Sequence, residues 1–329
     1  MTKIKYIYLL LISALLFGAC SKDDVPGGIE VSDDEIAISY SLKKYVQVVT
    51  SGKDLKSASE TRAIDASTAD EEKIDNIYIL MVNSGWTDIK RYYTATANFT
   101  QGTWDADGKS VKIKMTQSEA GTRNVYLVAN ATGTLKTALD GVTTLAGLQA
   151  ALLADSAPWS PNLSNATTKS ILMSGNTLSH DFVTNRVLSA VTLIRAVAKV
   201  ELNITLPAKH QSSTPADYQY NFVDFDKNTY VLENLTKTAD KATTGWKPFT
   251  ADGTTDKVSS YEMESDKVSK LKIVTYINET TNANSYIEIQ LPYKDGGFLP
   301  PPEFGPETFI LPRQGEIKRN HWYKYDVEL

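Results

Sequence analysis

The chain has 329 residues, 42% of them apolar and 22% charged. That balance excludes a disordered polypeptide and leaves room for two cores. The 39 acidic and 34 basic residues give a net charge of −5 with no basic block, which excludes nucleic acid as a partner.

Lys3 and Lys5 open the chain, an apolar run follows over residues 7–17, and then come Gly18, Ala19 and Cys20. This is the order of a signal peptide over 1–20, and the apolar run is too short for a stable membrane span. Cys20 is the single cysteine, so no intrachain disulfide and no cysteine-based metal site is expected. Phe17-Gly18-Ala19-Cys20 resembles a lipobox, with Phe17 where leucine is more usual. It implies that Cys20 carries lipid and ties the precursor to the outer membrane; a plain secretory signal with an incidental cysteine is the alternative. Several acyl chains on one cysteine anchor stably, because each buried CH₂ contributes about 0.8 kcal/mol. Residues 21–35 are acidic and loosened by Pro26, Gly27 and Gly28, which reads as a solvated tether. Their acidic start also resembles a surface-export signal.

Strands dominate from there. Ile36, Ile38, Tyr40 and Leu42 alternate with Ala37, Ser39 and Ser41, giving a first strand with one apolar face. Residues 51–72 lack apolar periodicity and read as an exposed loop containing Thr61, Arg62 and Ala63. Residues 76–82 (NIYILMV) and 125–129 (VYLVA) are apolar on both faces, as buried strands are, and Val111, Ile113 and Met115 alternate with lysines. Leu145, Leu148 and Leu152 stand at helical spacing behind Thr144, a plausible N-cap. Residues 155–165 form a Ser/Pro/Asn loop. A β-branched segment over 189–204 (with RAVAKVEL at 195–202) opens a second set of strands at 220–225, 271–277 and 286–291. A proline-rich loop over 299–306 leads to a last strand over 322–329, with Tyr323, Tyr325, Val327 and Leu329 on one face. Short strands, turn signals and one helical insertion predict a mainly β chain of two β-sandwiches. The expected boundaries are 36–62 for the first strand and the loop after it, 63–188 for the first domain and 189–329 for the second.

Catalytic signatures are missing. His180, His210 and His321 are scattered, and no HExxH, GxSxG, Walker or GxGxxG motif occurs. Pairs such as Asp224 and Asp226 are too common to read as acid–base machinery. Neither a cofactor, a metal nor an enzymatic activity is expected. Trp159 and Trp246 could touch an adhesion ligand, although tryptophan in a sandwich is more often packing. Asp155-Ser156-Ala157 has the form of an O-glycosylation tripeptide, but a chance tripeptide is the better explanation.

Taken in order, these landmarks resemble the Bacteroidetes fimbrillin family of type V pilins. After the lipoprotein signal and first strand come Arg62, the NIYILMVN strand and NVYLVAN (124–130), similar to the family's VYxVAN strand. ILMSG (171–175) is similar to its LPMSG-type segment, with Ile171-Leu172 for Leu-Pro. RAVAKVEL resembles the domain-junction strand, and residues 317–323 (IKRNHWY) resemble the segment that opens the last core strand. The resemblance implies two transthyretin-like β-sandwich domains with a short helical insertion in the first. It implies that an Arg-specific protease cuts between Arg62 and Ala63, that the strand bearing Ile36, Ile38, Tyr40 and Leu42 leaves, and that another fimbrial subunit adds a strand in its place. Family stalk subunits carry a further C-terminal donor strand, and this chain stops at Leu329, which points to an accessory or tip subunit of a cell-surface fimbrium. A stalk or anchor subunit, and a monomeric surface lipoprotein binding glycan or a host ligand, stay open as alternatives. A host or bacterial surface receptor is a further partner the reading admits.

Overall fold

The computed structural model describes residues 28–52, 60–64, 67–154, 170–234, 240–251, 258–281, 284–292, 306–310 and 316–329. Cys20, Trp159 and residues 155–157 lie outside them, as does most of the proline-rich loop. Along the chain the strands are β1 (Glu35–Leu42), β2 (Tyr45–Gly52), β3 (Glu60–Ile64), β4 (Ile77–Val82), β5 (Ile89–Thr94), β6 (Asn98–Phe99), β7 (Gly102–Asp105), β8 (Ser110–Lys114), β9 (Thr122–Ala129), β10 (Leu152–Leu153), β11 (Met173–Asp181), β12 (Val187–Arg195) and β13 (Val197–Thr205). They continue as β14 (Gln219–Val223), β15 (Phe225–Asp226), β16 (Thr229–Tyr230), β17 (Lys241–Ala242), β18 (Lys247–Pro248), β19 (Ser259–Glu264), β20 (Lys267–Asn278), β21 (Tyr286–Leu291), β22 (Glu307–Ile310) and β23 (His321–Glu328). The chain is mainly β, as the short strands and turn signals predict.

The first unit is one nine-stranded sheet, ordered β5-β4-β9-β11-β12-β1-β8-β7-β6. Strands from both halves of that order feed one apolar cluster: Ile77, Ile79 and Met81 meet Val111, Ile113 and Trp104 there. The sheet therefore curls over its own core. Register shifts in β1 between Ile38 and Tyr40 and in β11 between Thr177 and His180 mark where strands bend. β4 is buried on both faces for a definite reason. Its odd residues enter this core, while Tyr78, Leu80 and Val82 pack under Leu135, Leu139 and Leu148. Those leucines belong to the helices Gly133–Asp140 and Leu145–Ala150, the second capped by Thr144, whose side chain accepts from Gly147 N. Leu152, expected on that helix, stands in β10 because the helix ends at Ala150.

Gly175 in β11 leaves no room for a side chain, since a Cβ would lie 2.2 Å from the Thr192 carbonyl oxygen. Asn130, the last residue of NVYLVAN, has a left-handed φ of 66°, a region asparagine tolerates better than most residues. Its amide nitrogen donates to the Lys73 and Ile171 carbonyls, and its oxygen accepts from Asp75 N.

In the second unit a six-stranded sheet (β19-β20-β13-β23-β2-β3) faces a four-stranded one (β18-β14-β21-β22). Between them lie Val200, Leu202, Tyr325 and Val327 from the first and Phe222, Ile289 and Leu291 from the second.

Two expectations need correction. The stretch 51–72 is not wholly loop: residues 60–64 form edge strand β3, pairing antiparallel with β2. An edge strand can be held by its backbone ladder alone, so it need not show apolar alternation. The change of sheet also falls later than residue 189. Ser189 lies inside β12, which pairs with β1 and β11, and the second sheet begins with β13 after Ala196. Moreover, β2 and β3 belong to that second sheet although they precede the whole first unit in sequence, apart from β1.

Candidate functional site

The N-terminal strands are shared between the two units. β1 is an interior strand of the first sheet: it runs antiparallel to β8, with Ile36 opposite Ile113, and parallel to β12, with Leu42 opposite Leu193. Ile36, Ile38 and Tyr40 are buried, and Leu42 packs at the edge of the same cluster. The Tyr40 hydroxyl accepts from Trp104 Nε1 at 3.0 Å. Each such side chain, fully buried, stabilises by about 1.5–3 kcal/mol. β2 is interior to the second sheet, parallel to β23 and antiparallel to β3. Taking out β1 would therefore leave an elongated groove between β8 and β12, and taking out β2 with its outer neighbour β3 would bare the backbone edge of β23.

Only Lys43 and Lys44 separate β1 from β2. Their side chains are exposed, but their backbones are tied on both sides of the crossover. Lys43 N donates to Leu193 O (2.9 Å), Lys43 O accepts from Arg195 Nη1 (2.8 Å), Lys44 O accepts from Asn320 Nδ2 (2.7 Å), and Val46 N donates to Asn320 O (3.1 Å). Asn320 has a φ of 57°, so the turn into β23 is left-handed there. Arg195 Nη1 also donates to Asn320 Oδ1 (3.2 Å), Arg195 Nε donates to Glu71 O (2.9 Å), and the guanidinium lies 4.4 Å from the centre of the Tyr45 ring.

Beneath this crossover sits a buried charged cluster. Glu71 is wholly buried in the short helix Ala69–Glu72, where it forms a capping box with Thr68. Its carboxylate pairs with Lys199 Nζ at 2.9 Å and accepts from the Tyr276 hydroxyl. Burial pushes the Tyr45 and Tyr276 hydroxyls far above the ordinary tyrosine range, with the Glu71 carboxylate adding to the push on both. Both phenols stay neutral.

Arg62 lies in β3 with its backbone opposite Gln47, and Ala63 after it is exposed. The Arg62–Ala63 bond is thus on an edge strand rather than in a loop. β23 is interior, flanked by β13 and β2, with Tyr323, Tyr325 and Val327 buried.

The sequence pattern identifies the strand face at Ile36, Ile38, Tyr40 and Leu42 but does not mark Tyr45, Glu71, Arg195 and Asn320 as site residues. Arg195 and Asn320 are visible there only as parts of motifs. A lone arginine ahead of the apolar run AVAKVEL is the available signal. Elsewhere, the described residues contain no cluster of three or more His, Cys, Asp or Glu able to hold a metal, and no helix long and apolar enough to cross a membrane.

Among known proteins, residues 196–328 match the family model described as minor fimbrium tip subunit MfA4, C-terminal. Over 348 aligned positions the chain is 37% identical to the minor fimbrium tip subunit MfA4 of Porphyromonas gingivalis, covering 99% of each protein. Among solved structures it is similar to the tip fimbrial protein Mfa3 from Porphyromonas gingivalis with C-terminal truncation (12% identity, TM-score 0.46, covering 88% of this chain and 94% of that one). Another is a fimbrial assembly protein from Parabacteroides distasonis (12% identity, TM-score 0.42, covering 88% and 89%).

Proposed function

The chain belongs to the family of the minor fimbrium tip subunit MfA4, and from that premise we propose that it is a non-enzymatic tip subunit of a bacterial surface fimbrium, joined to its neighbour by strand exchange. In this reading the precursor reaches the outer membrane with lipid on Cys20. An Arg-specific protease then cuts between Arg62 and Ala63. The released segment carries the lipid, β1, β2 and most of β3 away, and a segment of another fimbrial subunit takes the places of β1 and β2.

One observation carries the proposal: a single N-terminal segment supplies an interior strand to both units and ends at an edge strand whose Ala63 is exposed. β1 removed from its sheet leaves two rows of unpaired donors and acceptors, on β8 and β12, and β2 leaving with β3 bares one more along β23; an added strand satisfies them. Edge position gives a protease access to one side of the β3 backbone. The tip assignment draws on the relative's name and on β23, which keeps its own ladder to β13 and has its tyrosines in the core, and so is poorly suited to be lent to a neighbour.

The N-terminus of the protein in assembled surface fimbriae, read by mass spectrometry, tests this. The expected first residue is Ala63. A lipid-bearing Cys20 at the head of the assembled protein would contradict the exchange and favour a monomeric surface lipoprotein or an anchor.

A further inference from the structure

The crossover between β1 and β2 is held by groups that stay behind when the segment leaves. Two consecutive carbonyls, Lys43 O and Lys44 O, are captured by Arg195 and Asn320 respectively, while the lysine side chains themselves are exposed. Bonds to backbone carbonyls do not read side chains, but they fix register. A slip of one residue on either side would turn the apolar face of a strand outward.

The residue just past the crossover is gripped by its side chain instead. Tyr45 is wholly buried, yet it belongs to none of the three apolar clusters. Its ring lies against the Arg195 guanidinium. Arg195 is itself 1% exposed, and among the described residues its one carboxylate neighbour within ion-pair range, Glu72 Oε1, is 4.0 Å away on a side chain 45% exposed. When the segment leaves, Arg195 keeps Glu71 O and Asn320 Oδ1 but loses the Lys43 carbonyl and the ring. A buried cation left short of partners is costly, so a replacement that lacks either is penalised. The Tyr45 hydroxyl finds no hydrogen-bond partner among the described residues, so the ring and not the hydroxyl is the part the socket rewards.

We infer that Arg195, Asn320 and the Tyr45 socket form a register lock that selects incoming segments with an aromatic ring directly after the Asn320-bound carbonyl. This rests on the strand-exchange reading and adds to it the chemistry of the partner: a two-strand segment crossing between sheets in two residues, with Phe or Tyr opening its second strand. Arg195 and Asn320 act as positioning residues for the partner.

The test uses the folded full-length chain, nicked at the Arg62–Ala63 bond, with a labelled peptide of residues 34–52 added to exchange for the resident segment. Fluorescence anisotropy then reads competition by unlabelled peptides. The wild-type and Tyr45→Phe peptides should compete equally, within about threefold. Tyr45→Leu should be weaker by about tenfold or more, the size of a desolvated cation–π contact. A peptide with one glycine inserted between Lys43 and Lys44 keeps the aromatic residue but breaks the register, and should be weaker still. If the labelled wild-type peptide never enters the nicked protein, strand exchange fails and the lock with it. If it enters but the Leu and inserted-glycine peptides compete as well as wild type, the lock is overturned while the strand seats stand.

Discussion

Asn130 and Asn320 show what two short motifs mean at the level of single atoms. Each adopts a left-handed φ, and each spends its amide on backbone carbonyls from distant segments: Lys73 and Ile171 for Asn130, Lys44 for Asn320. Their letters are legible in NVYLVAN and KRNHWY, but their partners are not, since no local pattern encodes a bond to a residue 276 positions away. Glu71 and Lys199 are hidden for a related reason. A charged residue reads as exposed until its counter-charge is known, and here the two bury each other. The buried phenols make a testable prediction about pH. Tyr45 and Tyr276 have an ordinary value of 10.0, and both are raised by burial first and by the nearby Glu71 carboxylate next. Above that value the unfolded chain gives up these protons while the folded chain keeps them, so the unfolded state binds fewer protons and stability falls as pH rises. Their contribution is complete below the unfolded value and fades as pH climbs towards the folded one. Urea midpoints measured at about pH 8 and about pH 11 should show a clear loss at the higher pH, and Tyr276→Phe should reduce that loss. An unchanged pH dependence in the variant would contradict the buried-phenol account. Because Tyr40, Tyr218 and Tyr323 are raised in the same direction, the reduction should be partial.

At the scale of elements, legibility depends on how local the cause is. β1 announces itself because Ile36, Ile38, Tyr40 and Leu42 alternate within eight residues. β4 is readable as buried on both faces, although the helices that cover its second face become clear only in the packing of Leu135, Leu139 and Leu148. β3 escapes notice because an edge strand held by its backbone needs no apolar stripe. The assignment of β2 to the second sheet escapes because its partner, β23, lies at the far end of the chain. Close approach of strands explains the glycine of ILMSG in the same physical terms. Gly175→Ala would push a methyl group into the Thr192 carbonyl and part β11 from β12. A loss of about 1–3 kcal/mol is expected from overpacking of this kind, measured by urea unfolding of the full chain. A variant as stable as the wild type would mean that the two strands can separate freely at that point.

Viewed as a whole molecule, the N-terminal segment is a bridge as well as a strand. It enters the first sheet between β8 and β12, crosses at Lys43 and Lys44, and enters the second between β3 and β23. A neighbour that replaced it would grip both units at once, with two ladders and a buried apolar face between β8 and β12 and a third ladder along β23, a joint far more stable than contact at a single exposed edge. The claim that these seats are refilled by another subunit is tested most directly from inside the seat. Val187 pairs with Ala37 and is half-buried, so a photocrosslinking residue there reports whatever strand lies alongside. In fimbriae isolated from cells, irradiation should join this chain to a second fimbrial subunit, with the adduct mapping to a strand of that partner. Adducts confined to the chain's own residues 28–62 would show that β1 never leaves, and the account would fall.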